Sequence, residues 1–259
     1  MKLFAIFGRE FRLYRNNSLL LACVCFVCTV FLWAATAPET FNSYSEALPV
    51  VFAKACASIL IGLMLSINMV CKDYAMIRRE LRMGISAKGL IFAKTFLNII
   101  LCAIMSVILT LPYLIGIISV LDQNTSYLYL AVFFTMFTSA QLGLFISSFS
   151  SIFSQNRLQK AALAIPFVML FQILFSGFVF EQVRIDLSSV SISNYAIRTI
   201  GSGLRFDSET FIWDTPVGAF ENSFPHALLN LGALTTFMIF AIIGSIIILN
   251  QIDKQGLDE

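Results

Sequence analysis

The sequence predicts an all-α membrane protein. It has six transmembrane helices, an amphipathic N-terminal surface helix, a short charged cytoplasmic helix between spans two and three, and a long outer loop before span six. Three observations predict this. The composition is 58% hydrophobic with 26 Phe, and the mean hydropathy is +0.85, outside the range of a soluble domain. The apolar residues fall in runs of about 20 or more, enough to cross about 30 Å of hydrocarbon. The charged residues, only 12% of the chain, collect between these runs, above all in KDYAMIRRELRMGISAKGLIFAK, Lys72 to Lys94. Charge that dense belongs in water or at a headgroup surface.

Residues 2–16 read as a helix lying on the bilayer. At about 100° per residue Phe4, Phe7, Phe11 and Tyr14 share a face, with Arg9 and Arg12 pointing away from it. A basic flank that only sets topology is the plainer reading, but the Phe stripe exceeds what orientation requires. No small-residue cleavage site follows, so a signal peptide fits poorly. The first span covers about 18–37 and closes at Pro38 and Glu39. The second covers about 48–71, with Lys54 near its outer end, where the stem can snorkel, and Asn68 near its inner end. The third covers about 95–120 and carries Pro112, which should kink it. The fourth, fifth and sixth cover about 127–148, 161–180 and 226–250. Residues 181–225 form the only sizeable loop, too long for a simple connection. Its apolar spacing points to short helices folding back to cover an exit, or else to a passive lid.

Charge orients the map. With the amino terminus inside, 13 of the 17 Lys and Arg lie on inner segments, leaving only Lys54, Arg184, Arg198 and Arg205 outside. That bias is the one cytoplasmic segments carry, so both termini are placed in the cytoplasm.

Several function classes drop out. The chain holds no GxxxxGK[ST] loop, no serine elbow and no HExxH, so it should hydrolyse nothing by itself. Nucleic-acid binding has no support, because no basic stripe interleaved with aromatics stands outside the apolar runs. The single histidine, His226, leaves no histidine-based metal site, and Cys23, Cys25 and Cys28 read as small apolar filler on a span. The spans also look empty of buried charge, which disfavours a proton-coupled carrier.

What remains is a permease driven from outside the chain. The centre of the island, Ile77 to Gly84, predicts a helix up to Met83 that Gly84 ends, with Ser86 opening the next one. A short charged helix between two spanning helices is a lever: a partner pushing on it moves both spans. A loop that only fixes orientation would explain Arg78, Arg79 and Arg82, but not the punctuation from Glu80 to Gly84.

The stretch RRELRMGISAKGLIFAKTFLN resembles the connection between the second and third spans of the exporter permeases of ATP-binding-cassette (ABC) transporters. That group includes the G-subfamily and bacterial drug, lipid and polysaccharide exporters. Their motif is a Glu, three residues, a Gly, a small or polar pair, then Ala or Ser before Lys; here these are Glu80, Gly84, Ile85, Ser86, Ala93 and Lys94. LGLFISSFSS and QNRLQKAALAIPFVMLFQILFSGFVF are similar to the family's fourth span, cytoplasmic turn and fifth span, with Ser176 and Gly177 near the outer end. One departure stands out: Leu81 occupies the place where an Arg commonly follows the Glu.

The resemblance implies a cytoplasmic coupling helix in which Arg78, Arg79, Glu80, Arg82 and Gly84 transmit ATP-driven closure to the spans. It implies a partner ATP-binding subunit in two copies, which holds the ATP and Mg while this chain holds no cofactor. It also implies a second permease copy or a paralogue in the lipid bilayer of the cell (inner or plasma) membrane. A route lined by the second and fifth spans makes Asn68, Phe171, Gln172, Phe175 and Ser176 the candidate pathway residues. For each of these, packing between helices is the competing reading. Gln172 and Ser176, four residues apart, share one face. The expected cargo is amphipathic or hydrophobic: a lipid, drug, peptide or polysaccharide. An ion-coupled carrier and a non-transporting scaffold or sensor are the alternatives.

Overall fold

The computed structural model describes residues 8, 24–30, 44–114, 125–153, 156–176, 189–204 and 223–255. Among these, the regular elements are all helical: α1 (Tyr44–Ser66), α2 (Tyr74–Arg82), α3 (Ala87–Leu114), α4 (Thr125–Ser150), α5 (Arg157–Leu174), α6 (Ile192–Gly203) and α7 (Phe224–Gln255). Residues 24–30 are helical as well. Among the described residues, five helices are long and apolar enough to cross a membrane, over Leu48–Ser66, Ala87–Pro112, Ser126–Ser150, Arg157–Leu174 and Phe224–Ile252. Of the expected first span, only 24–30 is described; it packs on α3, where Cys25 Sγ and Thr29 Oγ1 donate to the carbonyls of Met105 (3.4 Å) and Ile108 (3.3 Å). The expected surface helix, 2–16, lies outside the described residues apart from Gly8.

Local chemistry moves several expected boundaries. The second span stops at Ser66, not Cys71, because the amides of Val70 and Cys71 donate to Ser147 Oγ of α4 (3.0 and 3.1 Å) instead of continuing the ladder. The third begins at Ala87, well before Thr95. Ser86 precedes it as an N-cap, its hydroxyl accepting from the Gly89 amide at 3.3 Å. The fifth starts at Arg157, and the sixth extends to Gln255. The expected outer loop, 181–225, contains a full helix, α6, with every residue buried except Tyr195 and Arg198.

Helix α4 is the axis of the bundle. It packs against α1, α3, α5, α6 and α7, and 67% of its spanning window is buried against 11% for α5 and 17% for α7. Lipid is as apolar as the side chains, so helices in a bilayer associate by close packing, which small residues permit. The neighbours of α4 meet it through such residues. A Cβ on Gly62 of α1 would overlap Ser139 Oγ and the Met136 carbonyl oxygen, and one on Gly203 of α6 would come within 3.0 Å of Leu128 Cα. Many hydroxyls inside the spans are satisfied locally: Ser58, Thr135, Ser139, Ser148 and Ser245 each donate to the carbonyl four residues back at 2.8–2.9 Å.

Candidate functional site

The charged island folds into a compact device at one end of the bundle. After α1 the chain turns through residues 67–73 and starts α2. Ser147 holds this turn from α4: besides receiving the two amides above, it offers its own carbonyl to Cys71 Sγ at 3.1 Å. Lys94 holds it from α3. The Lys94 side chain is fully buried, and its Nζ donates to the Met69 carbonyl oxygen (2.9 Å) and pairs with Asp73 Oδ2 at 3.5 Å. Asp73 stands at the N-cap of α2 yet makes no side-chain cap bond. Its carboxylate is turned to the lysine instead. One ammonium group thus joins the turn after α1, the start of α2 and the body of α3.

Helix α2 has two unlike sides. Ile77, Glu80 and Leu81 are buried, and the helix rests on α7. Arg79 and Arg82 are exposed, with Met83 and Lys88 beyond them, and Arg78 is half-buried. The helix ends in a hydrogen-bonded stop: the Ile85 amide donates to the Glu80 carbonyl (3.1 Å) and the Gly84 amide to that of Leu81 (2.8 Å). This pair of bonds is a Schellman motif, and it needs a residue in the left-handed region. Gly84 supplies it at φ +79°, where a side chain would be strained. The connection between α4 and α5 braces the other flank. Arg157 lies over the Tyr74 ring, 3.6 Å from its centroid, and Lys160 Nζ over the Phe153 ring at 4.2 Å.

The other five candidate residues separate into two groups. Asn68 is on the 67–73 turn rather than on a span, and is half-buried. Phe171 (39% exposed) and Phe175 contact each other at 4.5 Å on α5 and just past its end. Gln172 and Ser176 are buried. Gln172 Oε1 accepts from Ser191 Oγ and from the Ser193 amide, both at 2.9 Å, and the Gln172 carbonyl accepts from Ser193 Oγ. That amide fixes the entrance of α6 to α5.

Two expectations about charge are corrected. Lys54 does not snorkel: it is 2% exposed inside a spanning helix. Lys94, counted above with the island, also lies within a spanning window. The spans therefore do contain buried lysines, and the case against a coupled carrier cannot rest on their absence.

Another line of evidence settles the class. Comparison with protein-family models matches residues 1–201 to the family described as ABC-2 type transporter. The chain belongs to that family. As an ABC-2 membrane domain it is the transmembrane subunit of an ABC transporter, a multi-pass permease that works with an ATP-binding subunit and is not itself an ATPase. A comparison with curated proteins finds no match.

The ABC-2 permease thus carries at one end of its bundle a short helix, basic outside and with Ile77, Glu80 and Leu81 turned inside, pinned to three long helices. Sequence reasoning found the helix and its glycine stop but missed Asp73, Lys94 and Ser147 as the pins. The available signal was weak: an acid just before a helix, and a lysine one turn inside an apolar run.

Proposed function

We propose that this ABC-2 permease is the membrane part of an exporter related to the G-subfamily, with the whole chain, 1–259, forming one permease domain. Two copies, or this chain and a paralogue, surround a central pathway in the cell (inner or plasma) membrane. Two ATP-binding subunits, holding ATP and Mg, dock on the cytoplasmic side, where both termini also lie. Closure of those subunits pushes α2, the coupling helix, and through it α1 and α3.

The observation that carries this reading is the two-sidedness of α2 together with its pins. Arg79 and Arg82 present charge to the partner. Arg78 flanks them, Glu80 faces inward with Ile77 and Leu81, and Gly84 fixes where the lever ends. A push on the exposed side reaches the Lys94 node directly, because Asp73 heads the same helix. Asn68, Phe171 and Phe175 are the pathway candidates with exposed surface, whereas Gln172 and Ser176 are buried, Gln172 joining α5 to the start of α6. The cargo is amphipathic or hydrophobic, a lipid, drug, peptide or polysaccharide; the aromatic pair Phe171 and Phe175 suits such a surface. The outward direction follows from the resemblance of the Glu80 to Lys94 stretch to exporters.

The test is charge reversal on the exposed side. The Arg79→Glu/Arg82→Glu permease, reconstituted with its ATP-binding subunit, should lose roughly tenfold or more of ATP-dependent transport while inserting and folding normally, because a docking surface built to meet two arginines would lose its charge complementarity. Transport at the unmodified rate would remove α2 from the docking surface.

A further inference from the structure

Within one turn of Lys94, the α3 helix and its contact with α4 hold buried polar atoms that no group among the described residues satisfies. Thr95 Oγ1 of α3 donates to Gln141 Oε1 of α4 at 3.2 Å. Asn98 follows Thr95 by three residues on the same helix, so the two share a face with Cβ atoms about 5–6 Å apart. Asn98 and Gln141 are both fully buried, and Thr95 is 8% exposed. Among the described residues nothing hydrogen-bonds Asn98 Nδ2, Asn98 Oδ1 or Gln141 Nε2. Hydroxyls elsewhere in these two helices find protein partners, as when Ser106, Thr135, Ser139 and Ser148 bond back to their own helix and Thr138 donates to the Leu234 carbonyl of α7. Three unpartnered amide atoms, two on the residue one turn from Thr95 and one on Thr95's own hydrogen-bond partner, call for a guest, because buried polar groups in folded proteins are nearly always paired.

We propose that Thr95, Asn98 and Gln141 form a binding site for an ordered water between α3 and α4. The donor and acceptor inventory chooses the guest. Two of the orphans are N–H donors and one is an acceptor, and a water offers two lone pairs and two protons. A metal ion cannot serve an N–H donor. Exchanging oxygen and nitrogen within either amide still leaves at least one donor and one acceptor. An anion lacks a counter-charge, since the ammonium of Lys94 is engaged by Met69 and Asp73. A hydrated contact can change partners at lower cost than a dry one, so the water leaves α3 able to shift against α4 when α2 is pushed. That use rests on the permease reading above; the existence of the site does not.

Thermal unfolding of the full-length permease in lipid nanodiscs tests the site without any transport assay. Leucine is close to the size of Asn or Gln but cannot hold a water. Asn98→Leu and Gln141→Leu should therefore each expel the guest and strand the remaining amide, lowering the midpoint by at least about 2–4 °C. The double variant removes all the stranded groups and should recover at least half of that loss, because replacing every partner by apolar groups is nearly neutral. Asn98→Ala, which leaves room for another water, should fold and stay close to the parent. A dry seam gives the opposite sign: Asn98→Leu would raise the midpoint or leave it unchanged. That result, or additive losses in the double variant, overturns the proposal. If neither leucine variant folds, a density map of the parent protein sharp enough to show ordered waters decides it. Density within hydrogen-bond reach of Asn98 and Gln141 is expected, and an empty seam overturns the site.

Discussion

Replacing Gly62 by valine is expected to remove most of the folded permease from the membrane. Gly62 and Ser66, four residues apart on α1, face Ser139 and Gly143, four apart on α4. Each helix thereby offers the other a pair of small residues, and their backbones close to contact. A Cβ at Gly62 would overlap Ser139 Oγ and the Met136 carbonyl oxygen and approach the Ala140 amide nitrogen to 3.1 Å; at Gly143 it would lie 2.6 Å from Ser66 Oγ and 2.9 Å from the Leu63 carbonyl oxygen. The serine hydroxyl can rotate away, but the backbone oxygen cannot. The helices would have to separate, and Ser66 Oγ would lose its hydrogen bond to the Ala140 carbonyl. Overpacking a tight contact costs about 1–3 kcal/mol and occasionally more; two branched methyls against backbone should reach the upper end, a large part of the about 5–15 kcal/mol that typically separates native from unfolded protein. Monodisperse yield in mild detergent and the thermal midpoint should fall in the order parent, Gly62→Ala, Gly62→Val. Gly232→Ala is the control, because a Cβ there meets nothing within 4 Å. A valine variant as stable as its parent would show that α1 and α4 do not approach this closely.

The second large effect is expected at Lys94. Changing it to methionine keeps much of the stem but removes the ammonium that Asp73 and the Met69 carbonyl share. Removing one partner of a buried ion pair costs about 3–5 kcal/mol, mostly because the other charge is left unpaired. Asp73, 9% exposed, can gain some hydration, so the lower end of that range is expected. Neutralising the stranded carboxylate should repair much of the damage, so Lys94→Met/Asp73→Asn should be clearly more stable than Lys94→Met alone. The double variant should still transport poorly for each ATP hydrolysed, because α2 would no longer be tied to α3. Equal stability of the single and double variants would mean the pair stores no interaction energy.

These two sites show which parts of the molecule could be read from the sequence. Five of the six expected spans were legible because their apolar runs are long. Helix α2 was legible because Gly84 follows a short basic stretch and Ser86 comes two residues later, two local signals with a backbone cause. The fifth and sixth spans shifted by a few residues because ends depend on caps, not on hydropathy. The pins were not legible: Lys94 acts across 21 residues on Asp73, and Ser147 across more than 70 on Val70 and Cys71. Nothing local marks such pairings. Lys54 was read as snorkelling because a lone lysine in a span usually does, and only the three-dimensional packing shows it enclosed. Gln172 illustrates the same limit. Its polarity within a span was visible, but the serines that claim it, Ser191 and Ser193, stand on the far side of a long connection. A helix within residues 181–225 was legible from its apolar spacing, but the burial of α6 was not, because Ser193, Asn194, Thr199 and Ser202 read as solvent-facing until the neighbouring helices enclose them.

Site-directed photo-crosslinking along α2, in the permease assembled with its ATP-binding subunit, tests the lever most directly. A photoreactive residue at Arg79 or Arg82 should capture the ATP-binding subunit, and one at the buried positions Ile77 or Leu81 should crosslink only within the permease. If Arg79 and Arg82 never reach the ATP-binding subunit, or if membrane-impermeant reagents modify them only from outside the cell, then α2 is not the element on which ATP hydrolysis acts.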